Sequence, residues 1–380
     1  MPKLRLFTPG PTMVPEEIML EMARPLDHHR TAGFKEMMKE AAENLKYVFQ
    51  TTQATPLIIT GSGTAAMEAA MVGCCAPGKK VLVAHCGKFG ERWRDVCKRF
   101  KMEFVEVTAP YGHGIKAEQV AEGIKKAGGG FGSIICVHSE TSTAAVSDVA
   151  AIAQVARQND LLMMVDGITS VGAIPFKMDE WGIDVVVTGS QKALMLPPGL
   201  GILGVGPRAW QVVDTFDPPC YYNSLKAYRK SAADNDSPYT PNNQLIRGLV
   251  KSLQMIRAEG LENVWARSAR LAKATRAAIQ AMGVELFAAD PADSVTALKV
   301  PAGIDEGKWR KEMRSRFGIH AAAGQGDMKG SVVRFNHMGY VDEIDTLGAI
   351  AAMEWTLADQ GFKFTLGSGT AAFQRAIAAR

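Results

Sequence analysis

Long apolar runs are missing from this sequence of 380 residues, and its first ten residues, MPKLRLFTPG, lack the apolar core of a signal peptide. A long basic block is also missing, because 43 Lys and Arg residues are spread among 39 Asp and Glu residues, for a net charge of +4. We therefore expect a protein that neither crosses a membrane nor binds nucleic acid.

Cysteine is scarce, and all six cysteines lie in the first 220 residues. None has a spacing such as C-x-x-C, which is typical of metal ligands, so we predict no metal site. We interpret the cysteines as free thiols in a reducing cytoplasm. The remaining composition, 47% hydrophobic and 22% charged, is that of an ordinary globular protein with room for two domains.

Short apolar runs that are typical of buried strands recur along the first 206 residues, and helical patterns separate several of them. This alternation predicts an α/β fold with a mostly parallel sheet and helices on both faces. An extended arm is predicted over residues 1–22, with a helix starting after Pro15, and a loop is predicted over residues 214–236. The predicted strands are 56–60, 81–86, 103–107, 133–138, 161–166, 184–189 and 201–206, and the predicted helices are 33–50, 90–100, 117–127, 148–158, 242–258, 261–282 and 305–316.

Lys192 stands between the predicted strand at 184–188 and an apolar, proline-rich stretch at 194–199. A lysine is seldom fully buried unless it is paired. One interpretation is that Lys192 lies at a strand end and extends its amine to water. The other is a lysine in a dry pocket, where burial lowers the pKa of its amine and allows it to form a Schiff base.

Asp166 closes the apolar run at 161–165, and Gly167 follows it. Asp166 could simply cap the next helix. However, Asp166 and Lys192 both follow predicted strands, and ligands of open α/β sheets bind at the carboxyl ends of the strands. A lysine and a carboxylate at one sheet edge fit pyridoxal phosphate, which the lysine holds as an imine while the acid keeps the ring nitrogen protonated.

Residues 61–64, Gly-Ser-Gly-Thr, join a predicted strand to a predicted helix. Such a turn offers free N–H groups and the positive end of a helix dipole to a phosphate, and Ser62 and Thr64 add hydroxyl groups. The same residues often make only a helix cap. The string GSGTAA recurs at residues 367–372, where we interpret it as chance or a local turn.

Two further groups of residues follow predicted strands. Phe89 comes shortly after the strand at 81–86, and is either a core residue or a ring that stacks on an aromatic cofactor. Residues 139–143, Ser-Glu-Thr-Ser-Thr, place four hydroxyl groups and an acid after the strand at 133–138. Together these polar groups predict a ligand site on one rim of the sheet.

The motifs TGSGTAAMEA, KFGERW, HSETSTA, VDGITSVGA and GSQKALMLPPG resemble those of the class V aminotransferases of fold type I, and most of all the alanine–glyoxylate and serine–glyoxylate branch. The resemblance extends over essentially the whole chain. It implies a large domain that binds pyridoxal 5′-phosphate, a smaller C-terminal α/β domain, and a homodimer with active sites at its interface. We place the arm at 1–22, the large domain at 23–258 and the small domain at 259–380.

The resemblance also implies residue roles. Some relatives carry a tyrosine three residues before the threonine that matches Thr240. Here that position is Ser237, with Tyr239 close by, so this phosphate contact stays open. The implied roles are an internal aldimine and proton transfer for Lys192, pairing with the ring nitrogen for Asp166, stacking on the ring for Phe89, proximity to the ring hydroxyl for Thr141, phosphate binding for Ser62, Gly63, Thr64, Gln191 and the partner subunit's Thr240, and binding of the substrate carboxylate for Arg334 and the backbone of Gly10.

The predicted reaction is a ping-pong transamination from alanine or serine to a 2-oxo acid such as glyoxylate or pyruvate. Aspartate is the main alternative donor, and Arg30 or a residue of the partner subunit would then bind its second carboxylate. A cysteine desulfurase is less favoured, because no cysteine follows Cys220. A non-catalytic subunit is also less favoured, because Lys192, Asp166 and Arg334 are all present.

Overall fold

The N-terminal arm connects the two halves of the molecule. The computed structural model describes residues 2–379, and the arm contributes strand β1 (Arg5–Leu6) and helix α1 (Glu16–Met22). β1 pairs in parallel with Ile319 and His320, far along the chain. α1 begins directly after Pro15, as predicted, because a fixed proline φ suits the start of a helix.

A seven-stranded sheet forms the centre of the large domain, as predicted. Its order is β2–β10–β9–β8–β5–β3–β4, and β10 runs antiparallel to both of its neighbours, whereas the other neighbouring pairs are parallel. A separate hairpin is formed by β6 and β7. The strands of this region are β2 (Thr55–Thr60), β3 (Lys80–His85), β4 (Phe104–Thr108), β5 (Phe131–Val137), β6 (Ser139–Glu140), β7 (Ala145–Val146), β8 (Leu162–Asp166), β9 (Val185–Gly189) and β10 (Leu200–Val205).

Helices cover both faces of this sheet because successive strand residues point to opposite sides. In β8, Met163 and Val165 pack in one apolar core, whereas Leu162 and Met164 pack in the other. Polar caps fix several helix starts; Asn242, for example, accepts a hydrogen bond from the amide of Leu245. The helices of this region are α2 (Ala32–Phe49), α3 (Gly63–Cys74), α4 (Lys88–Arg99), α5 (Ala117–Lys126), α6 (Val149–Gln158), α7 (Met178–Trp181), α8 (Pro207–Val213), α9 (Leu225–Ala232) and α10 (Asn243–Glu259).

The C-terminal region packs helices around a small antiparallel sheet with the order β11–β14–β13. Its apolar core includes Trp309, Phe335 and Phe373, together with Phe7 from the arm. The proposed domain limits stay a prediction. The elements are α11 (Leu261–Ala281), β11 (Val295–Lys299), α12 (Glu306–Phe317), β12 (Ile319–His320), β13 (Ala322–Ala323), β14 (Val332–Asn336), α13 (Glu343–Asp359) and α14 (Ser368–Ala378), with a short 3-10 turn at Gly326–Met328.

Two local predictions are wrong. The segment 214–236 is not all loop, because α9 forms within it and the Ser224 side chain accepts a hydrogen bond from the Ala227 amide. The second GSGTAA copy is not an isolated turn, because α14 begins in it. Within residues 2–379, no helix combines the length and the apolar character that a membrane crossing requires.

Candidate active site

Lys192 lies three residues beyond the end of β9, and its side chain is buried, with 6% of the residue exposed. Its Nζ donates a hydrogen bond to the carbonyl of Pro9 in the arm. Gly10 has a φ of +134°, and a Cβ added there would lie 2.6 Å from Cε of Lys192. The interpretation that Lys192 extends to water is therefore wrong, because the arm covers it.

The surroundings of Lys192 favour a neutral amine. Burial lowers the pKa of Lys192 to about 7, and the positive charge of Arg334 acts in the same direction. The carboxylates of Asp166 and Glu140 oppose this shift. A large share of Lys192 is consequently uncharged near neutral pH, as a nucleophile or a base requires.

Asp166 is the last residue of β8, the parallel neighbour of β9, and it is 3% exposed. One carboxylate oxygen, Oδ2, accepts a hydrogen bond of 2.9 Å from Nε1 of Trp93. The other, Oδ1, accepts one of 3.0 Å from the amide of Ile168. Residues 167–173 contain turns rather than a helix, so Asp166 caps no helix there. Burial raises the pKa of Asp166 to about 6, against the effect of both hydrogen bonds, so the group is ionised at neutral pH.

Glu140 is a fully buried carboxylate that fixes the start of α4. It accepts hydrogen bonds from the amides of Phe89 at 3.3 Å and Gly90 at 3.0 Å. Ser142 donates to the same carboxylate from its amide and its hydroxyl. Phe89 is thereby held with its ring towards Lys192, whose Nζ lies 5.7 Å from the ring centroid.

Arg334 is buried in the central strand of the small sheet, opposite Ala297 on one side and Ala322 on the other. Its Nη1 donates to the carbonyl of Thr141 at 2.9 Å, which links the two domains. Nε and Nη2 both donate to the carbonyl of Ala323. Burial lowers the pKa of Arg334 to about 10. One N–H on each of Nη1 and Nη2 remains for a ligand, which suits a carboxylate.

Two polar side chains at and beside the start of α3, those of Ser62 and Gln191, have unused hydrogen-bonding capacity. Ser62 precedes the first helical residue, yet its side chain makes no cap hydrogen bond. The Gln191 side-chain oxygen is buried and has no partner among residues 2–379. A Cβ added at Gly63 would lie 3.9 Å from the Cα of Gly189, so this turn lies against the end of the strand that precedes Lys192.

The remaining predicted residues divide between the site and the surface. The hydroxyl of Thr141 shares a hydrogen bond with that of Thr169, beside the carbonyl that Arg334 contacts. Thr240 is instead exposed, in a surface pocket of about 300 Å³ that residues 26–29 also line. Ser237 is buried, and the Tyr239 hydroxyl donates to the Tyr221 carbonyl at 2.7 Å.

Three site residues were not singled out from the sequence. Trp93 follows Phe89 by four residues, so both lie on one face of α4, a spacing that could have indicated a shared role. In the sequence, Glu140 is distinguished only as an acid among four hydroxyl residues, which does not indicate its contacts with α4. Arg92 donates to Oγ1 of Thr64 at 3.2 Å, and nothing in its sequence context distinguishes it from other surface arginines.

Comparison with known proteins identifies the family. The model of the aminotransferase class-V family matches residues 6–341. The chain belongs to this family. Class-V aminotransferases of this fold use pyridoxal phosphate, so the predicted family, cofactor and enzyme class are confirmed.

Several curated relatives span nearly the whole chain. The chain is 40% identical to the soluble hydrogenase 42 kDa subunit of Anabaena cylindrica, over 98% of both chains. It is 39% identical to the L-aspartate–glyoxylate aminotransferase of Paracoccus denitrificans, over 97% of this chain and 95% of the relative. It is 37% identical to the serine–glyoxylate aminotransferase of Hyphomicrobium methylovorum, over 97% of this chain and 93% of the relative.

The fold agrees with that of solved family members. The crystal structure of pyridoxamine–pyruvate aminotransferase from Mesorhizobium loti superposes with a TM-score of 0.94 at 27% identity, over 100% of this chain and 97% of the other. The predicted α/β architecture of fold type I is thereby confirmed.

Proposed function

We propose that this aminotransferase moves an amino group from a small neutral amino acid, alanine or serine, to a 2-oxo acid such as glyoxylate or pyruvate. The observation that carries the proposal is a buried lysine, with a pKa of about 7, enclosed by Asp166, Arg334 and Phe89. The names of two relatives, which include glyoxylate, support the acceptor.

The residues present fit pyridoxal phosphate. The free Ser62 hydroxyl and the unpartnered amide side chain of Gln191 suit its phosphate. Rotation of that amide exchanges its oxygen for its NH₂ group. The cofactor supplies an electron sink for the negative charge that develops on the substrate. The residues that would hold it are Lys192 by a covalent bond, Asp166 at the ring nitrogen, Phe89 against the ring, Thr141 near the ring hydroxyl, and Ser62, Gly63, Thr64 and Gln191 at the phosphate.

The protein's own groups would perform the proton transfer. Lys192, as a neutral amine, removes the α-proton of the substrate, and the Pro9 carbonyl accepts a hydrogen bond from its Nζ. Arg334 holds the substrate carboxylate through its remaining N–H groups, with the backbone of Gly10 beside it. Asp166 stays ionised at neutral pH and therefore stabilises a positive charge on the ring nitrogen.

The surroundings of Arg30 support a neutral donor. Arg30 forms an ion pair with Asp236 at 2.5 Å and donates to the carbonyl of Ser237 at 2.7 Å, so its charge is already compensated. Aspartate remains the main alternative, and the name of the Paracoccus relative favours it.

A non-catalytic subunit, as the Anabaena name suggests, fits poorly with a buried lysine of lowered pKa.

We also propose a homodimer with shared active sites. Thr240 shares its exposed pocket with Leu26, an apolar residue that is 73% exposed, and a second subunit would cover both. In that arrangement Thr240 reaches the phosphate in the partner's site.

We propose a cytoplasmic location because all six cysteines are free thiols and five of them are buried.

The test is the absorption spectrum of the purified protein during titration with alanine, serine and aspartate. We expect a visible band from the lysine-bound cofactor that bleaches with one neutral donor and returns on adding glyoxylate or pyruvate. Lys192→Ala, the control, should lack the band. Bleaching by aspartate alone would select the alternative donor, and no band after adding pyridoxal phosphate would contradict the proposal.

A further inference from the structure

The residues proposed to hold the cofactor phosphate carry no formal positive charge. They are Ser62, Gly63, Thr64 and Gln191, with Thr240 from a second subunit. Hydrogen bonds between a phosphate and a guanidinium group are about twice as strong as those between neutral groups. A site built from neutral groups alone would therefore forgo the strongest available contact with a doubly charged phosphate.

Arg92 brings a positive charge to this place. It lies on the first turns of α4, and its Nη1 is 3.2 Å from Oγ1 of Thr64. Its Cζ lies 4.8 Å from the ring centroid of Phe89, so the guanidinium packs over the aromatic ring. The ion pairs of α4 are made by Lys88 and Arg94 instead.

The charge of Arg92 also acts on the reactive lysine. Arg92 contributes to the lowering of the Lys192 pKa, which places its charge within electrostatic range of the pocket. Arg92 is nevertheless an exposed residue, and its hydrogen bond to Thr64 uses one of the five N–H donors of a guanidinium group. Donors of Arg92 thus remain for an anion at the start of α3.

We propose that Arg92 is the cationic member of the phosphate site and binds the 5′-phosphate of pyridoxal phosphate beside Thr64. This inference rests on the proposed function, because it assumes that the cofactor phosphate lies at the start of α3. In this proposal Arg92 makes two contacts. Its N–H groups bind the phosphate, and the plane of its guanidinium group packs on the ring of Phe89.

The test compares pyridoxal phosphate with pyridoxal, which lacks the phosphate, in the cofactor-free full-length protein. In Arg92→Gln, we expect the dissociation constant for pyridoxal phosphate to rise about 10- to 100-fold, because a charge-assisted contact is lost. The constant for pyridoxal should stay unchanged. Arg99→Gln is the matched control, because Arg99 is an exposed arginine at the opposite end of the same helix.

A second measurement does not depend on the reaction. Inorganic phosphate should raise the unfolding midpoint of the cofactor-free wild type and of Arg99→Gln, but not that of Arg92→Gln. An equal loss of affinity for pyridoxal phosphate and for pyridoxal would overturn the proposal, because it would mean that Arg92 only supports the Phe89 ring. If Arg92→Gln binds pyridoxal phosphate as tightly as the wild type does, the proposal is also overturned. This holds even if the KM for aspartate rises in that variant.

These outcomes separate the two proposals. If the wild type forms no visible band with pyridoxal phosphate, the proposed function fails. The phosphate effect on unfolding then still decides whether Arg92 belongs to an anion site.

Discussion

The hexapeptide GSGTAA occurs twice, at residues 61–66 and 367–372, and a helix begins within each copy. The first copy starts α3, with Ser62 as the N-cap in an extended conformation at a φ of −86°. The second copy starts α14, with Gly367 as the N-cap in the left-handed region at a φ of +90°. The same hexapeptide thus begins the two helices with different backbone conformations at the N-cap.

The larger difference is the group that faces each helix start. At the second copy, Glu354 is buried and accepts hydrogen bonds from the Gly369 amide at 2.7 Å and the Thr370 hydroxyl at 3.2 Å. At the first copy, Arg92 contacts the Thr64 hydroxyl. At the second copy the helix start is already occupied by the carboxylate of Glu354, whereas at the first copy it faces the guanidinium group of Arg92. Only the first copy is therefore suited to bind an anion from outside the protein.

The strongest test would make the first copy resemble the second. Arg92→Glu places a carboxylate beside Thr64, and we expect affinity for pyridoxal phosphate to fall by two orders of magnitude or more, because like charges then meet. The measurement is spectroscopic titration of the cofactor-free protein. The unfolding midpoint should change little, because Arg92 is exposed. A variant that binds the cofactor as well as the wild type would remove the distinction between the copies.

The second test removes the internal anion. Glu354→Ala leaves the Gly369 amide without its acceptor inside the protein, and we expect a loss of about 1–3 kcal/mol in the free energy of unfolding. Urea denaturation measures this loss. Glu354→Gln, the control, keeps an acceptor oxygen and should lose less. Cofactor affinity should not change in either variant, and a parallel loss of affinity would show that the two copies are coupled.

The third test addresses Lys192, the reacting group close to the first copy. An amine reacts when it is neutral, so the rate of cofactor attachment should rise with pH, with a midpoint near the Lys192 pKa of about 7. The midpoint should move up in Arg334→Gln and down in Asp166→Asn, because Arg334 lowers the pKa and Asp166 raises it. Stopped-flow absorbance measures it. Shifts in the opposite directions would mean that these charges do not act on Lys192.

The smallest effects are expected from the serines of the two copies. The Ser62 side chain caps nothing, and the buried Ser368 hydroxyl has no partner among residues 2–379. Both Ser62→Ala and Ser368→Ala should therefore change unfolding stability by less than about 0.5 kcal/mol. Ser62→Ala alone should weaken cofactor binding, by a few fold, in calorimetric titration. Equal effects of the two substitutions on binding would contradict this assignment.

The sequence was sufficient to predict the large sheet and to place Asp166 and Lys192 at the ends of two of its strands. Apolar runs of five or six residues mark the strands, and Asp166 and Lys192 follow two of them. Since the carboxyl ends of parallel strands lie on one rim, the order of strands and polar residues along the chain is enough to predict that these two side chains are close together.

Contacts between distant segments could not be predicted. Trp93 reaches Asp166 across 73 residues, and Arg334 reaches Thr141 across 193 residues, so neither contact leaves a local pattern. The role of Glu354 was equally hidden, because its partners lie on a later helix. Helix α9 was not predicted for a different reason, because the prolines and tyrosines around residues 218–222 are typical of a loop and a single capping serine, Ser224, does not by itself indicate a helix.

The position of the arm has a consequence for biosynthesis. Residues 5 and 6 are synthesised long before their strand partners, residues 319 and 320, and Arg5 pairs with an aspartate 340 positions later. The arm cannot take its final place until residues 319 and 320 have emerged from the ribosome. The cover over Lys192 is therefore synthesised before the lysine but takes its place only after residues 319 and 320 have emerged, which leaves the lysine pocket open during the synthesis between them.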